Sequence, residues 1–196
     1  MNISKMAEML RNERFPRSAR YDPQWVLENE MGPNALWLTE WLCECMDLKP
    51  GMRVLDMGCS RAASSIFLAK EFGVQVWAND PWVSPSENWQ RIREAGVDSS
   101  VFPIQPETQA LLYASDFFDA IVSVDSFHYH DLDDAYLRRF LRFLKSDGWI
   151  GVVVPAVIHE VDGEVPEYLT IPALLTDEGP SLGYVRMVAR RGEVQR

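Results

Sequence analysis

The chain is predicted to fold as an α/β domain, a Rossmann-like doubly wound, mostly parallel sheet finished by an antiparallel C-terminal edge strand. Three observations carry this prediction. Short apolar runs alternate with capped or amphipathic segments between residues 53 and 154, the order that builds a parallel sheet with right-handed crossovers. The runs at 120–124 and 149–154 are apolar almost throughout, as in strands covered on both faces. Residues 183–189 instead set Tyr184, Arg186 and Val188 against Val185, Met187 and Ala189, the alternation of a half-exposed edge strand.

Taken in order, residues 1–30 are rich in charge and carry Phe15-Pro16, Tyr21-Asp22-Pro23 and Trp25, which predicts an irregular or partly helical extension. From 34 to 48 the pairs Trp37/Leu38, Trp41/Leu42 and Cys45/Met46 recur every four residues, an amphipathic helix whose tryptophans face the core. Lys49-Pro50-Gly51 stops it, because proline cannot continue a helix and glycine eases the turn. A strand over 53–57, a Gly-containing turn and a helix over 63–72 follow, with Gly73 closing the helix before a strand at 74–78. Ser84-Pro85-Ser86-Glu87 has the form of a capping box with proline at the first helical position, so a helix should run to about residue 95. A third strand is expected at 101–104 and a fourth at 120–124. Leu137, Phe140, Leu141 and Leu144 are spaced as on a core-facing helix, and Lys145-Ser146-Asp147-Gly148 then turns into the strand at 149–154. Residues 155–182 hold four prolines and little periodicity.

Composition narrows the class. A chain of 196 residues suits one domain with a substantial core. The formal charge of −10 argues against nucleic acid as a partner, since a phosphate backbone would be repelled. Arg138, Arg139, Arg142 and Lys145 cluster at the spacing of a solvated helix face. Cys43, Cys45 and Cys59 form neither a disulfide framework nor a zinc pattern, and no metal is expected. The polar start lacks the apolar core of a signal peptide, and no stretch is long and apolar enough to span a bilayer. These features point to a soluble, cytoplasmic protein with no membrane partner.

Open α/β sheets bind ligands beyond the carboxyl ends of their strands. After the first strand stands Asp56-Met57-Gly58-Cys59-Ser60-Arg61-Ala62, where glycine permits close approach of backbone to a ligand and the following helix aims free N–H groups at the crevice. After the second strand stands Asn79-Asp80-Pro81, with Asp80 22 positions beyond Gly58, a distance that suits an acid bonded to a ribose diol. Together these indicate a nucleoside ligand.

Val54-Leu55-Asp56-Met57-Gly58-Cys59-Ser60 resembles the first motif of class I S-adenosylmethionine-dependent methyltransferases, a hydrophobic pair, Asp, a hydrophobic residue and Gly-x-Gly. The resemblance continues in order over residues 34–155. Residues 104–113 resemble the segment after the third strand, with Glu107 where an acid often reads the adenine amino group. Phe118-Asp119-Ala120-Ile121-Val122 resembles the fourth strand, and residues 141–148 resemble the turn before the fifth, with Ser146-Asp147-Gly148 in place of Pro-Gly-Gly. The pattern is similar to the small-molecule methyltransferases often called type 11. It implies one domain, in which 1–33 is an extension or lid, 34–155 the cofactor-binding core and 156–196 an abbreviated C-terminal part.

The resemblance implies S-adenosylmethionine as cofactor, held by Asp56, Gly58, Cys59, Ser60, Asp80, Pro81, Glu107 and Asp125. It implies a small-molecule methyl acceptor near His128, Tyr129 and His130, where His128 or Tyr129 would assist as a catalytic group. His159-Glu160 is a second candidate pair, Trp82 a candidate pocket wall, and Tyr21 and Trp25 candidate lid aromatics. Each has a plainer rival: Asp56 ordering its turn, Asp80 and Asp125 capping, His128 and Tyr129 packing the next element, Tyr21 and Trp25 anchoring the extension. Two departures stand out. Ser60 and Ala62 occupy positions usually small or glycine, and only 155–182 separates the fifth strand from the last. A positive φ at Ser60 would cost about 1–3 kcal/mol and weaken binding roughly tenfold to a hundredfold. A nicotinamide dinucleotide fits less well, because its fingerprint wants three glycines and this turn supplies only Gly58. A non-catalytic cofactor-binding or partner protein on the same fold is the alternative function. The sequence specifies neither the acceptor nor the oligomeric state.

Overall fold

The computed structural model describes residue 10 and residues 12–105, 113–129, 138, 140–157 and 182–192. Strands β1 (Arg53–Met57), β2 (Gln75–Asn79), β3 (Val101–Ile104), β4 (Phe118–Val124), β5 (Leu144–Val157) and β6 (Leu182–Arg190) lie in one sheet ordered β3-β2-β1-β4-β5-β6. The pairs among the first five are parallel, and β6 runs antiparallel to β5 at the edge, as predicted. Chain order reverses between β1 and β4, so a crevice opens at their carboxyl ends.

The helices are α1 (Pro23–Asn29), α2 (Ala35–Cys43), α3 (Ala63–Phe72) and α4 (Pro85–Glu94). The α3 helix ends as expected on Gly73, which takes a φ of 66° and returns its N–H to the Ala69 carbonyl at 3.0 Å. The capping box is present: the Ser84 hydroxyl accepts from the Glu87 N–H and the Glu87 carboxylate accepts from the Ser84 N–H. The α2 helix stops at Cys43, short of the predicted 48. The N–H groups of Cys45 and Met46 bond three residues back, to Leu42 and Cys43, and this tightened turn buries Met46. Trp37 and Trp41 are only half-buried, Trp37 stacked on Phe15 and Trp41 under the Arg186 guanidinium.

Two apolar layers sandwich the sheet. On one face Val54, Val76, Ala120 and Val122 pack against Leu42, Ile66, Leu68 and Ile92 from α2, α3 and α4. On the other, Leu55, Met57, Phe118 and Ile121 pack against Phe140, Phe143 and Leu144.

The region before β5 departs from expectation. Leu144 pairs with Phe118 as the first residue of β5 rather than closing a helix, and pairing resumes only at Ala120 with Trp149. Residues 145–148 are therefore a bulge within the strand, with Asp147 at a φ of 61°. The pull comes from Phe143 and Leu144, both fully buried, and from the Phe143 carbonyl, which accepts from Phe117 and Phe118. Leu137 lies outside the described residues, while Arg138, Phe140 and Leu141 are helical. The strand also runs on to Val157, so Pro155 pairs with Tyr184 instead of opening an irregular segment. Pairing with β4 ends at Val153, so β5 has one neighbour at Pro155 and a missing N–H is tolerated.

The N-terminal extension is docked by two acids. Buried Glu40 accepts from the Arg17 N–H at 3.0 Å, the Ser18 N–H at 2.7 Å and the Ser18 hydroxyl at 2.6 Å. Glu71 at the end of α3 takes Arg17, Arg20 and the Tyr21 hydroxyl. Glu40→Ala leaves two backbone donors without this acceptor, so it should lower unfolding free energy by about 2–3 kcal/mol. Urea denaturation measures that loss, and trypsin should then cleave at Arg17 and Arg20 in the otherwise folded protein.

Candidate functional site

The site forms where β1, β2 and β4 end. Gly58 bends the chain with a φ of 73°, and a Cβ there would stand 2.4 Å from both Cβ and Oγ of Ser126. Only glycine fits, and the turn packs directly on the residue after Asp125. The Gly58 and Cys59 N–H groups both bond to the Asn79 carbonyl, at 2.8 and 3.0 Å, tying the end of β1 to the end of β2. Ser60 and Ala62 then adopt left-handed φ values of 52° and 61°. The positive φ anticipated at the missing second glycine is therefore present.

Asp80 is 2% exposed and organises the turn from below. Its Oδ2 accepts from the Ser60 N–H at 2.7 Å, and its Oδ1 accepts from the Trp82 and Val83 N–H groups at 2.8 Å each. A carboxylate offers about four lone-pair sites, so a ligand hydroxyl would share Asp80 with three backbone amides. Pro81 is half-buried, and its carbonyl accepts from Gln105 Nε2 at 3.1 Å. Cys59 is buried, and burial with the nearby Asp56 and Asp80 charges pushes its thiol well above the usual range. Cys59 is thus a neutral packing group whose N–H is already bonded within the protein.

Asp56 lies beneath the turn with no exposed surface. Its Oδ2 accepts from the Ser64 and Ser65 hydroxyls at 2.6 Å each, and its Oδ1 is buried without a partner. Burial pushes its carboxyl up to about 6, against the lowering effect of the two serines. Ser60 Oγ and Asn79 Oδ1 are likewise buried and unpartnered. Three buried oxygens without a protein partner therefore stand beside the Gly58 turn, at and just beyond the carboxyl ends of β1 and β2.

Asp125 directly follows β4 with a φ of 53°, and burial raises its carboxyl while His128 lowers it. His128 and Tyr129 follow in a 3-10 turn (Phe127–Tyr129), exposed, with ring centres 4.0 Å apart. Tyr129 meets Trp82 edge to face at 5.5 Å, so an exposed aromatic pair links the end of β2 to the end of β4. Tyr184 on β6 joins this group: burial, the Asp125 charge and Tyr129 all raise its phenol. The N-terminal chain also reaches the site. The Glu28 carbonyl accepts from Arg61 at 2.6 Å, and a Cβ on Gly32 would sit 3.2 Å from Asp125 Oδ2. Tyr21 and Trp25 pack instead around Phe67 and each other on α3.

The structure thus brings Asp56, Gly58, Cys59, Ser60, Asp80 and Pro81 into one turn region, with Asp125, His128 and Tyr129 on the β4 side. Glu107, His130, His159 and Glu160 lie outside the described residues. Sequence reasoning missed Ser64, Ser65, Asn88, Ser126 and Tyr184. Two adjacent serines in the first turn of α3 were a local signal for the first pair; the others act across long sequence separations. The basic cluster expected on one helix face divides instead: Arg138 is helical, Arg142 lies in a turn over Phe143, and Lys145 belongs to β5, where it pairs with Asp119 at 2.6 Å. Among the described residues no helix is long and apolar enough to cross a membrane.

A family model described as a methyltransferase domain matches residues 54–148, the stretch from β1 to the bulge in β5. Methyltransferase GfsG of Streptomyces halstedii is 29% identical over 134 residues, 66% of this chain and 48% of that protein. Phosphoethanolamine N-methyltransferase 1 of Arabidopsis thaliana is 28% identical over 143 residues, 69% of this chain and 29% of that protein. The chain therefore spans about half or less of the curated relatives' lengths. The solved structure of the [4+2]-cyclase SpnF superposes with a TM-score of 0.58 at 27% identity, covering 65% of this chain and 47% of that one. With the strand order, the Gly58 turn and Asp80 in place, residues 54–148 belong to the class I S-adenosylmethionine-dependent methyltransferase family.

Proposed function

We propose that the chain binds S-adenosylmethionine at the ends of β1 and β2 and serves methyl transfer to a small-molecule acceptor seated near Asp125, His128, Tyr129 and Tyr184. The observation that carries this reading is the set of buried, unpartnered oxygens on Asp56, Ser60 and Asn79 beside the Gly58 turn. The residues fit an amino-acid-bearing nucleoside. Asp80 offers its remaining acceptor capacity to sugar hydroxyls, and Asp56 offers negative charge beneath the turn. When bound, the cofactor supplies an already activated methyl group, so the protein's part is mainly positioning. Trp82 and Tyr129 border the crevice as an exposed pair that an acceptor would pack against, and segment 28–32 flanks it on the N-terminal side. His128, beside Asp125, is the group placed to take a proton from an acceptor hydroxyl or amine.

A second reading has specific support. Ser60 carries backbone strain in the cradle, and SpnF, of this fold, is a cyclase. The same domain would then bind the cofactor or its demethylated product without transferring a methyl. Isothermal titration with S-adenosylmethionine and S-adenosylhomocysteine separates the possibilities. Binding of both ligands, weakened at least about tenfold by Asp80→Ala, is expected. No heat with either ligand defeats both readings. Binding without a methylated product by mass spectrometry, across amine, hydroxyl and carboxylate acceptors, favours the second.

A further inference from the structure

The cradle contains a contradiction that the rest of the chain resolves. Ser60 holds a φ of 52°, a conformation that glycine adopts freely and that a Cβ opposes. Its hydroxyl has no partner, so the side chain does not hold the backbone there. The restraint comes from both sides of the residue. The Ser60 N–H donates to Asp80 Oδ2 at 2.7 Å, and the Ser60 carbonyl accepts from Asn88 Nδ2 at 2.8 Å. Asn88 sits on α4, 28 residues away, and is 1% exposed. Its amide is oriented by Arg91, whose Nη1 donates to Asn88 Oδ1 at 3.1 Å, which leaves Nδ2 facing the turn. The α4 helix is itself fixed by the capping box four residues before Asn88.

We propose that Asn88 is a positioning residue that keeps Ser60 in the left-handed conformation the cofactor cradle requires, in place of the glycine usual there. This rests on the cofactor reading above for its effect on ligand binding, but not for its effect on the turn. A carbonyl pinned by a buried amide cannot rotate toward the right-handed region without breaking that bond. Without Asn88, Ser60 relaxes, its N–H leaves Asp80, and the turn loses its shape. With glycine at position 60, the left-handed conformation needs no restraint and Asn88 becomes dispensable.

The test is a double-mutant cycle on Ser60→Gly and Asn88→Ala in the full chain, read by titration with S-adenosylhomocysteine and by thermal unfolding. Asn88→Ala alone should weaken binding about tenfold, the scale of the left-handed backbone cost at Ser60 that the amide no longer holds in place. Ser60→Gly should bind as well as the natural protein or tighter, and the double variant should match Ser60→Gly within about threefold. A mere packing role for Asn88 predicts the same loss in both backgrounds, and that result overturns the proposal. If Asn88→Ala alone does not fold, comparing the double variant with Ser60→Gly decides the matter, since a tenfold loss there counts against the clamp. If the natural protein does not bind the ligand, the cofactor reading fails by itself. The unfolding temperatures then decide the clamp: Asn88→Ala should lower the midpoint further in the Ser60 background than in the Gly background, where only the bonds of Asn88 itself are lost. Equal lowering in both refutes it.

Discussion

Asp56→Asn should flatten the pH dependence of stability in the acid range and, at neutral pH, remove one buried negative charge from the site. Asp56 is wholly enclosed, with one oxygen held by two serine hydroxyls and the other bare. Its carboxyl titrates at about 6 in the folded chain against a usual 3.8. Between those values the folded protein keeps a proton that the unfolded chain has lost. Stability from this group is therefore highest below about pH 4 and falls as pH rises through about 6. The difference corresponds to about 3 kcal/mol. Denaturation at pH 4 and pH 7 should show the natural protein losing that much more than Asp56→Asn over the interval. Parallel profiles would mean that Asp56 is not an uncompensated buried carboxylate. A ligand carrying an ammonium group would offset the cost, so Asp56→Asn should also weaken S-adenosylhomocysteine binding about tenfold or more above pH 7. That pairing of a stability liability with a binding role is common where a site is pre-formed for charge.

The parts of this molecule that could be read from sequence are those decided by near neighbours. Proline and glycine at 50–51, the capping box at Ser84 and the apolar runs of β1 and β4 each fix their own few residues, and the structure follows them. The bulge at 145–148 could not be read this way. The tetrapeptide is a good turn sequence, and only the pairing of Leu144 with Phe118 shows that the strand has already begun. The site divides similarly. Gly58 and Asp80 were legible from their spacing after strands, and Ser60 from its departure from glycine. What could not be read was how the cradle is held. Asn88 reaches Ser60 from 28 residues away and Ser126 reaches Met57 from 69, and no periodicity records either bond. Asp80 illustrates the limit from the other side: its position was legible, but its service to three backbone amides was not.

Gly58→Ala should be the most damaging single methyl in the domain. The φ of 73° at Gly58 costs an alanine about 1–2 kcal/mol by itself. The new Cβ would also stand 2.4 Å from Ser126 Cβ and Oγ, well inside contact distance. Ser126 cannot turn away cheaply, because its hydroxyl bonds to the Met57 carbonyl at 2.5 Å and to Ser123 Oγ at 2.7 Å inside the protein. Overpacking of this kind adds about 1–3 kcal/mol, so a total of about 2–5 kcal/mol is expected in urea unfolding. Binding of S-adenosylhomocysteine should be lost as well, since relief of the clash must move either the Gly58 turn or the Asp125–Ser126 end of β4. The second site identifies the cause. Adding Ser126→Ala keeps the offending Cβ and should restore little, whereas adding Ser126→Gly removes it and should recover stability down to the backbone cost. If neither serine substitution restored stability in the Gly58→Ala background, the damage would come from the backbone conformation alone. The close packing of Gly58 on Ser126 would then carry no weight in holding the two halves of the site together.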